Sequence, residues 1–515
     1  MEFDEKILVV EFGSQYSHLI VRNIRRLGVY AEIIYPEDIT KSFDDSVKGL
    51  ILSGGPMSVY DESSPKIDRD ILEDIDVPVL GICYGHQLIA YLYDGVVEKG
   101  GVGEYGGVRF RIMSNHKLFE GIPEESTVWM SHKDVVVEPP NGFKVLGYTE
   151  YTRVAALADD SRKLYSLQFH PEVIHTEYGG EYLRNFIYGI CRCRGGYDPI
   201  DVIDKFIEEY RGLDDVNALV AVSGGVDSTV TAYILHRIFG DRLHLVYIDT
   251  GFTRDRDKAF IERFFRESGF KNIHILDRRS LFIDSLEGLS DPEMKRRVFS
   301  RLYFETLNSY VSKLEERYGV FRYLGQGTLY PDVVESGRAS RYTDRIKSHH
   351  NVVYRELSRL ELIEPLKYLY KDEVRDVAKK LGIPRDVYMR HPFPGPGYLV
   401  RIVGRVDREK LRIVKEADRI VEEELIRHGL YDSIWQGFAA ILDAKSVGVK
   451  GDVRSYEYII VIRLVESVDG MTARHVEIPY DILNNMAKRI LDEVQGVNRV
   501  LYDLSDKPPS TIEFE

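Results

Sequence analysis

One cysteine stands between two glycines in Val79-Leu-Gly-Ile-Cys83-Tyr-Gly85-His-Gln-Leu. The residues before it are β-rich and those after it helical, so the thiol sits on a sharp strand-to-helix turn. Such a turn lifts a nucleophile above the carboxyl edge of a sheet and aims the sulfur at a helix N-terminus, which favours the thiolate. The flanking glycines permit strained torsions and close approach. A second motif, Gln168-Phe-His170-Pro171-Glu172, follows another strand-like run. The residue before a proline is biased to extended geometry, so His170 and Glu172 can project the same way, as a base and the group that orients it. A third, Leu52-Ser-Gly-Gly55-Pro56, offers backbone N–H groups that could form an oxyanion hole with the N–H of Tyr84. Singly, these read as a structural cysteine, a core histidine and a tight turn. Their order along one strand–helix alternation favours nucleophile, base and orienter.

A separate constellation lies further on, in Val220-Ala-Val-Ser223-Gly224-Gly225-Val226-Asp227-Ser228. It follows a strand and opens a helix. The glycines let the backbone wrap an anion, the helix N-terminus favours negative charge, and Ser223 and Ser228 add hydroxyl donors. Asp227 is a poor direct phosphate ligand and a good Mg2+ ligand. No Gly-x4-Gly-Lys-Ser/Thr occurs, so this is not a Walker A loop. The bland alternative is a strand-to-helix turn with a serine cap.

The elements that must position these groups are legible as patterns. Lys6–Val10 is an apolar run followed by a helical stretch over Ser17–Leu27, and Leu50–Leu52 and Val77–Ile82 are strand-like. Lys163–Phe169 alternates, with Tyr165, Leu167 and Phe169 on one face and Ser166, Gln168 and His170 on the other. Strands alternating with helices imply parallel sheets covered on both faces. A second such pattern starts near Val216, with strands at Leu219–Val222 and Leu243–Ile248 around a helix at Thr229–Phe239. A third region, after the Pro/Gly cluster at 391–397, should hold a helix over Arg408–His428, capped by Asp407 and ended by Gly429. Strands are expected there at Glu457–Val465, Val497–Leu504 and Thr511–Phe514, with a helix at Tyr480–Val494. The expected class is α/β: two parallel-sheet domains, 1–192 and 200–390, the second doubly wound, and a small α+β domain, 391–515.

Composition narrows the class of partner. The chain has 515 residues, 44% hydrophobic and 30% charged, with a formal net charge of −14. That length suggests about three domains. The acidic balance argues against binding nucleic acid polymers or membrane surfaces, which takes basic faces. No apolar run approaches the ~18 residues of a membrane span, and the opening MEFDEK lacks the pattern of a signal peptide. Three cysteines, Cys83, Cys191 and Cys193, give no disulfide framework and point to a reducing cytoplasm. Cys191 and Cys193 read as surface thiols, in a Gly- and Arg-rich linker over 191–199.

Residues 5–190 resemble the class I glutamine amidotransferases, which share the Gly-x-Cys-x-Gly elbow and the His-Pro-Glu. That resemblance implies attack of the Cys83 thiolate on a glutamine side-chain amide, a glutamyl thioester, release of ammonia and hydrolysis to glutamate. It implies roles for Gly55, Tyr84, Gln87 and His132 at the oxyanion and glutamine positions, His132 standing in Trp129-Met-Ser-His132-Lys-Asp134. Ser223-Gly-Gly-Val-Asp-Ser228 resembles the fingerprint of the ATP pyrophosphatases, which cleave ATP between the α- and β-phosphates and adenylate a substrate. Gln326-Gly-Thr-Leu-Tyr-Pro-Asp332, Ile346-Lys347-Ser-His-His-Asn351, Arg390-His-Pro-Phe-Pro-Gly-Pro-Gly397 and Lys507-Pro-Pro-Ser-Thr-Ile-Glu513 resemble the GMP synthetase family over nearly the whole chain. This implies ATP, Mg2+, glutamine and XMP as ligands and a homodimer through the last domain. Lys347 would act on a lid, and Arg390, Gln436, Lys507, Thr511, Ile512 and Glu513 would meet XMP. Val353-Tyr354, Tyr398-Leu399 and Val453 depart from the family pattern.

Two rivals remain on sequence grounds. A glutamine-dependent NAD synthetase normally carries a nitrilase-like amidase, which this chain lacks. A non-catalytic nucleotide sensor is disfavoured by the intact Cys–His–Glu set and loop.

Overall fold

The structure, a computed structural model, describes residues 3–14, 16–99, 103–213, 216–334, 359–450, 452–467, 470 and 472–515. The chain divides into two compact units, Met1–Asp198 and Pro199–Glu515.

The first unit is built on nine strands in the spatial order Tyr30–Ile34, Lys6–Val10, Val47–Leu52, Val79–Ile82, Leu164–Leu167, Ala156–Asp159, Lys144–Tyr148, Glu104–Ile112, Glu125–His132. The first five run parallel and the rest pair antiparallel. The central parallel strands are buried on both faces, and for that reason they read as continuous apolar runs rather than alternations. Register decides what meets at the carboxyl edge. Gly81 lies opposite Leu52, Ile82 lies opposite Leu167, and the Cys83 N–H donates to the Leu167 carbonyl at 2.8 Å. Three segments therefore leave the sheet side by side: 53–55, Cys83 and 168–170.

The alternating run at 165–170 is buried on its polar face as well as on its apolar one. Ser166, Gln168 and His170 are buried, because that face looks into the unit, where Ser166 Oγ meets His86 Nδ1 at 2.8 Å. The expectation of surface thiols is corrected. Cys193 is buried, and Cys191 Sγ packs so near the Val47–Leu52 strand that a Cβ on Gly49 would come within 2.6 Å of it. Burial raises both thiols, Cys191 well above its usual range and Cys193 to about 12. The segment 191–198 is without regular structure, as a linker should be.

The second unit holds two larger sheets. One is wholly parallel, in the order Asn272–Asp277, Leu243–Asp249, Asn217–Ala221, Phe321–Gly325, Glu361–Ile363. Successive strands are added on one side of Asn217–Ala221 and then on the other, so the order reverses there and opens a crevice at the carboxyl edge. The other sheet is a long hairpin, Gln436–Lys450 with Val453–Glu466, flanked by Ile402–Val403, Arg474–His475 and Val497–Tyr502. Helix Arg408–Arg427 lies where its signals place it: the Asp407 carboxylate accepts from the Lys410 N–H at 2.7 Å, and Gly429 takes φ +68° past its end.

Leu219, Val246 and Ile248 from the parallel sheet share one apolar core with Ile441, Ile460 and Met486. Segment 391–515 thus has a sheet of its own and a core in common with 199–390. The strand expected at Thr511–Phe514 is absent; the carbonyls of Thr511 and Ile512 accept from the Arg463 side chain instead of a ladder. Among the described residues no helix is long and apolar enough to cross a membrane.

Candidate active sites

In the first unit, Cys83 bridges strand Val79–Ile82 and helix Tyr84–Leu92 with φ +53° and ψ −101°. This is strained backbone for a residue with a Cβ. The strain is at the cysteine itself; the glycines around it serve close packing. A Cβ on Gly81 would lie 2.5 Å from the Gly85 carbonyl oxygen, and one on Gly85 would lie 2.3 Å from that of Leu52. Helix and strand can approach this closely only without side chains at 81 and 85.

His170 Nδ1 lies 2.7 Å from Glu172 Oε1, and all three residues of the set are buried. Burial opposes protonation of His170, yet the Glu172 carboxylate and Cys83 outweigh it and hold the imidazolium well above the usual histidine range. A Cβ on Gly54 would come 3.0 Å from His170 Cε1 and 3.7 Å from Cys83 Cβ. The 53–55 turn therefore closes directly over the cysteine and histidine. Gly55 packs against Phe12 and Tyr84. The Tyr84 amide opens its helix, where an N–H has no partner within the helix.

Gln87 and His132 are placed deeper. Gln87 Nε2 donates to the Asp134 carbonyl at 2.7 Å, and His132 Nδ1 meets the same carbonyl at 3.0 Å. Cys83 Sγ lies 3.7 Å from the neighbouring Ser131 carbonyl. Behind them Glu104 is buried, accepts from the hydroxyls of Thr149 and Thr152, and stands 3.5 Å from His132 Nε2. Sequence reading missed Glu104, since nothing local ties it to residues 28 and 45 positions away.

In the second unit, Ser223–Ser228 lies at the carboxyl end of strand Asn217–Ala221 and opens helix Val226–Phe239. Gly224 takes φ +77°. Ser223 Oγ and Ser228 Oγ stand 3.2 Å apart, and the Gly225 N–H donates to Ser223 Oγ at 3.3 Å. The loop lines a cavity of about 470 Å3 together with Gln326, Gly327, Asp332, Lys371 and Arg390. Its carboxylate is not isolated: Asp227 Oδ2 pairs with Lys371 at 2.5 Å. Asp227 Oδ1 is buried without a partner among the described residues. Arg390 donates to the Gly224 carbonyl at 3.0 Å and pairs with Asp257. Lys371 also went unread in the sequence; it opens an amphipathic helix, Lys371–Lys380, whose pattern says nothing of the loop.

The residues expected to meet XMP fall in three places. Arg390 stands at the Ser223–Ser228 loop. Gln436 Nε2 donates to Glu513 Oε1 at 2.6 Å, and Arg401 holds the same carboxylate at 3.1 and 3.2 Å. Thr511 and Ile512 are gathered by Arg463. Lys507 Nζ donates to the Gly470 carbonyl at 2.8 Å, and its backbone bridges to Ala473. Lys347, with Val353-Tyr354, lies outside the described residues.

The first unit has the fold and elbow of an amidotransferase, and residues 8–190 match the family model "Glutamine amidotransferase class-I". Residues 423–514 match "GMP synthase C terminal domain". The chain is 48% identical over 515 residues to the GMP synthase [glutamine-hydrolyzing] of Aquifex aeolicus (strain VF5). It is 45% identical over 514 residues to that of Clostridium tetani (strain Massachusetts / E88) and 45% over 516 to that of Bacillus subtilis (strain 168). In all three cases 99% of each chain is covered. The chain belongs to the glutamine-hydrolysing GMP synthase family.

Proposed function

We propose that this chain makes GMP from XMP, with ATP and glutamine as the other substrates, dividing the work between its two units. The observation that carries the reading is the His170–Glu172 pair at 2.7 Å beside Cys83, on a chain whose second unit holds the Ser223–Ser228 loop.

Cys83 passes its proton to His170, and the thiolate attacks the glutamine amide carbon. The carbonyl oxygen takes negative charge, which the Gly55 and Tyr84 amides would receive. Collapse expels ammonia with a proton returned from the imidazolium, leaving a thioester. Water, deprotonated by His170, then releases glutamate. Glu172 keeps the imidazole oriented and stabilises its charged form throughout. Gln87 and His132 hold the wall at residue 134.

In the second unit, ATP phosphates would rest on the loop amides and hydroxyls of 223–228 at the helix N-terminus. XMP attacks the α-phosphorus, pyrophosphate leaves, ammonia attacks the purine C2 and AMP departs. Among the described residues no group of three or more His, Cys, Asp or Glu could hold a metal by itself. Mg2+ carried by phosphates needs only one or two carboxylates, and the unpartnered Asp227 Oδ1 fits that demand. When bound, Mg2+ supplies charge neutralisation at the departing pyrophosphate. Arg390 and Lys371 orient the loop from either side, and Gln436, Lys507, Thr511, Ile512 and Glu513 meet XMP.

The reading keeps three functional regions, 1–192, 200–390 and 391–515, a cytoplasmic setting and a homodimer. Supporting the last, Val447, Val449, Val453 and Tyr456 are 50 to 73% exposed near the tip of the long hairpin, an apolar surface that pairing with a second copy would cover. Light scattering giving a monomer at micromolar protein would remove the dimer from the reading.

The test of the reaction is ATP, Mg2+ and XMP incubated with glutamine or with ammonium, followed by nucleotide separation. GMP and AMP in equal amounts with both donors is the expected result. AMP released only with another acceptor would overturn XMP as substrate and keep the ATP and amide chemistry.

A further inference from the structure

We propose that Arg463 and Lys295 are positioning residues that dock the 503–515 tail and so shape the XMP pocket. This rests on the reading above that Gln436, Lys507 and Thr511–Glu513 meet XMP.

The tail is irregular, apart from the bridge of Lys507 to Ala473. Irregular backbone leaves its carbonyls without ladder partners, and something else must satisfy them when they are covered. Arg463, inside strand Val453–Glu466, is fully buried and does this. Its Nη1 donates to the Ser505 carbonyl at 2.6 Å. Its Nη2 reaches the Thr511 carbonyl at 2.9 Å and Ser510 Oγ at 3.3 Å, and its Nε reaches the Ile512 carbonyl at 3.3 Å. Asp503, 3.0 Å from Nη1, balances the charge. One guanidinium thus collects both ends of the tail's loop.

Two anchors follow along the same segment. Glu513 lies on Arg401 and Gln436. Glu515 pairs with Lys295, itself buried, and accepts from the Gly404 N–H at 2.8 Å. Lys295 belongs to helix Pro292–Tyr318, which packs in the core shared with the parallel sheet. The tail is therefore pinned to the small sheet at 463 and to the parallel-sheet part at 295. Among the described residues, Arg463 contacts tail backbone, Ser510 and Asp503, so its effect on the nucleotide passes through the tail. Lysine cannot replace it, because one ammonium lacks the planar fork that spans these acceptors.

The test uses the full chain with ammonium as nitrogen donor and saturating ATP. Arg463→Lys and Glu515→Gln should each raise KM for XMP by about 10-fold or more, the scale of one lost charge-assisted hydrogen bond. Their kcat and KM for ATP should stay near wild type, the signature of lost uniform binding. Hydrogen exchange over 505–515 should quicken in both and slow again with XMP. Glu513→Gln runs alongside as a direct pocket change. If it raises KM for XMP while both positioning variants keep the wild-type value and exchange, the docking proposal is overturned. If Glu513→Gln is also silent, the pocket reading fails and takes the proposal with it. If Arg463→Lys does not fold, Glu515→Gln, at the tail's far end, decides by the same two readouts.

Discussion

Lys371 Nζ sits on Asp227 Oδ2 across 144 positions of sequence, and the other carboxylate oxygen of Asp227 has no partner among the described residues. The pair sets the orientation of the only carboxylate within the Ser223–Ser228 loop. Lys371→Met should free Asp227 to rotate and lower kcat/KM for ATP by about 100-fold, the cost of unpairing a partly buried charge in a binding site. Asp227→Ala should abolish GMP formation with glutamine and with ammonium alike. Nucleotide separation after ammonium-driven turnover measures both, and a Lys371→Met enzyme with the wild-type KM for ATP would show the pair to be incidental.

Cys83→Ala removes the nucleophile and leaves the second unit untouched in sequence. Glutamine-driven GMP formation should fall at least ~1000-fold, in line with loss of a covalent catalyst. Ammonium-driven formation should persist at the wild-type rate. Loss of both would argue against separate sites.

The Glu172 carboxylate sets the pH behaviour of its neighbour. His170 is held charged well above its ordinary range by the Glu172 carboxylate and Cys83, against the opposing effect of burial. With a raised pKa in the folded state, the stabilisation is complete below the unfolded value near 6.5 and is lost as pH rises through the folded value. Glu172→Gln should bring that upper limit down and slow alkylation of Cys83 by iodoacetamide at pH 7. An unchanged pH profile of alkylation would assign the shift to another cause.

His86 has the opposite sign. It is fully buried, between Ser166 Oγ at 2.8 Å and the Val154 carbonyl at 3.0 Å, and burial lowers its pKa to about 3. The unfolded chain binds a proton below about pH 6.5 that the folded one refuses, so stability falls with pH between those values. The slope is about 1.4 kcal/mol per pH unit, or about 2 kcal/mol from pH 7 to pH 5. Urea unfolding at the two pH values should show this loss, and His86→Gln should reduce it while costing stability at pH 7.

Gly85→Ala would set a methyl 2.3 Å from the Leu52 carbonyl oxygen. Backbone must yield, at a cost of about 3 kcal/mol, and the Cys83 turn moves with it. Thermal unfolding of the variant should show the loss together with reduced glutamine hydrolysis.

Much of this site was legible because chemistry and local geometry coincide. The Cys83 turn announces itself through Gly81 and Gly85, and the Asp407 cap and Gly429 bracket a helix that the structure reproduces to one residue. Partners brought in by register or by tertiary packing were not legible. Glu104 meets His132 only because strands Glu104–Ile112 and Glu125–His132 pair at that register. Lys371 and Arg463 act on segments far away in sequence. The Thr511–Phe514 strand was read from β-forming residues whose carbonyls a side chain had already taken.

The core common to 199–390 and 391–515 also bears on where this polypeptide tolerates division. Met1–Asp198 closes around residues of its own, such as Leu8, Leu50 and Leu88, and a break after Asp198 falls at the division between the two units. A break near 391 would part Val246 and Ile248 from Ile441 and Ile460, leaving two fragments with greasy halves of one interior. Expressed as two polypeptides, the protein should therefore survive the first cut as independently soluble pieces and aggregate after the second.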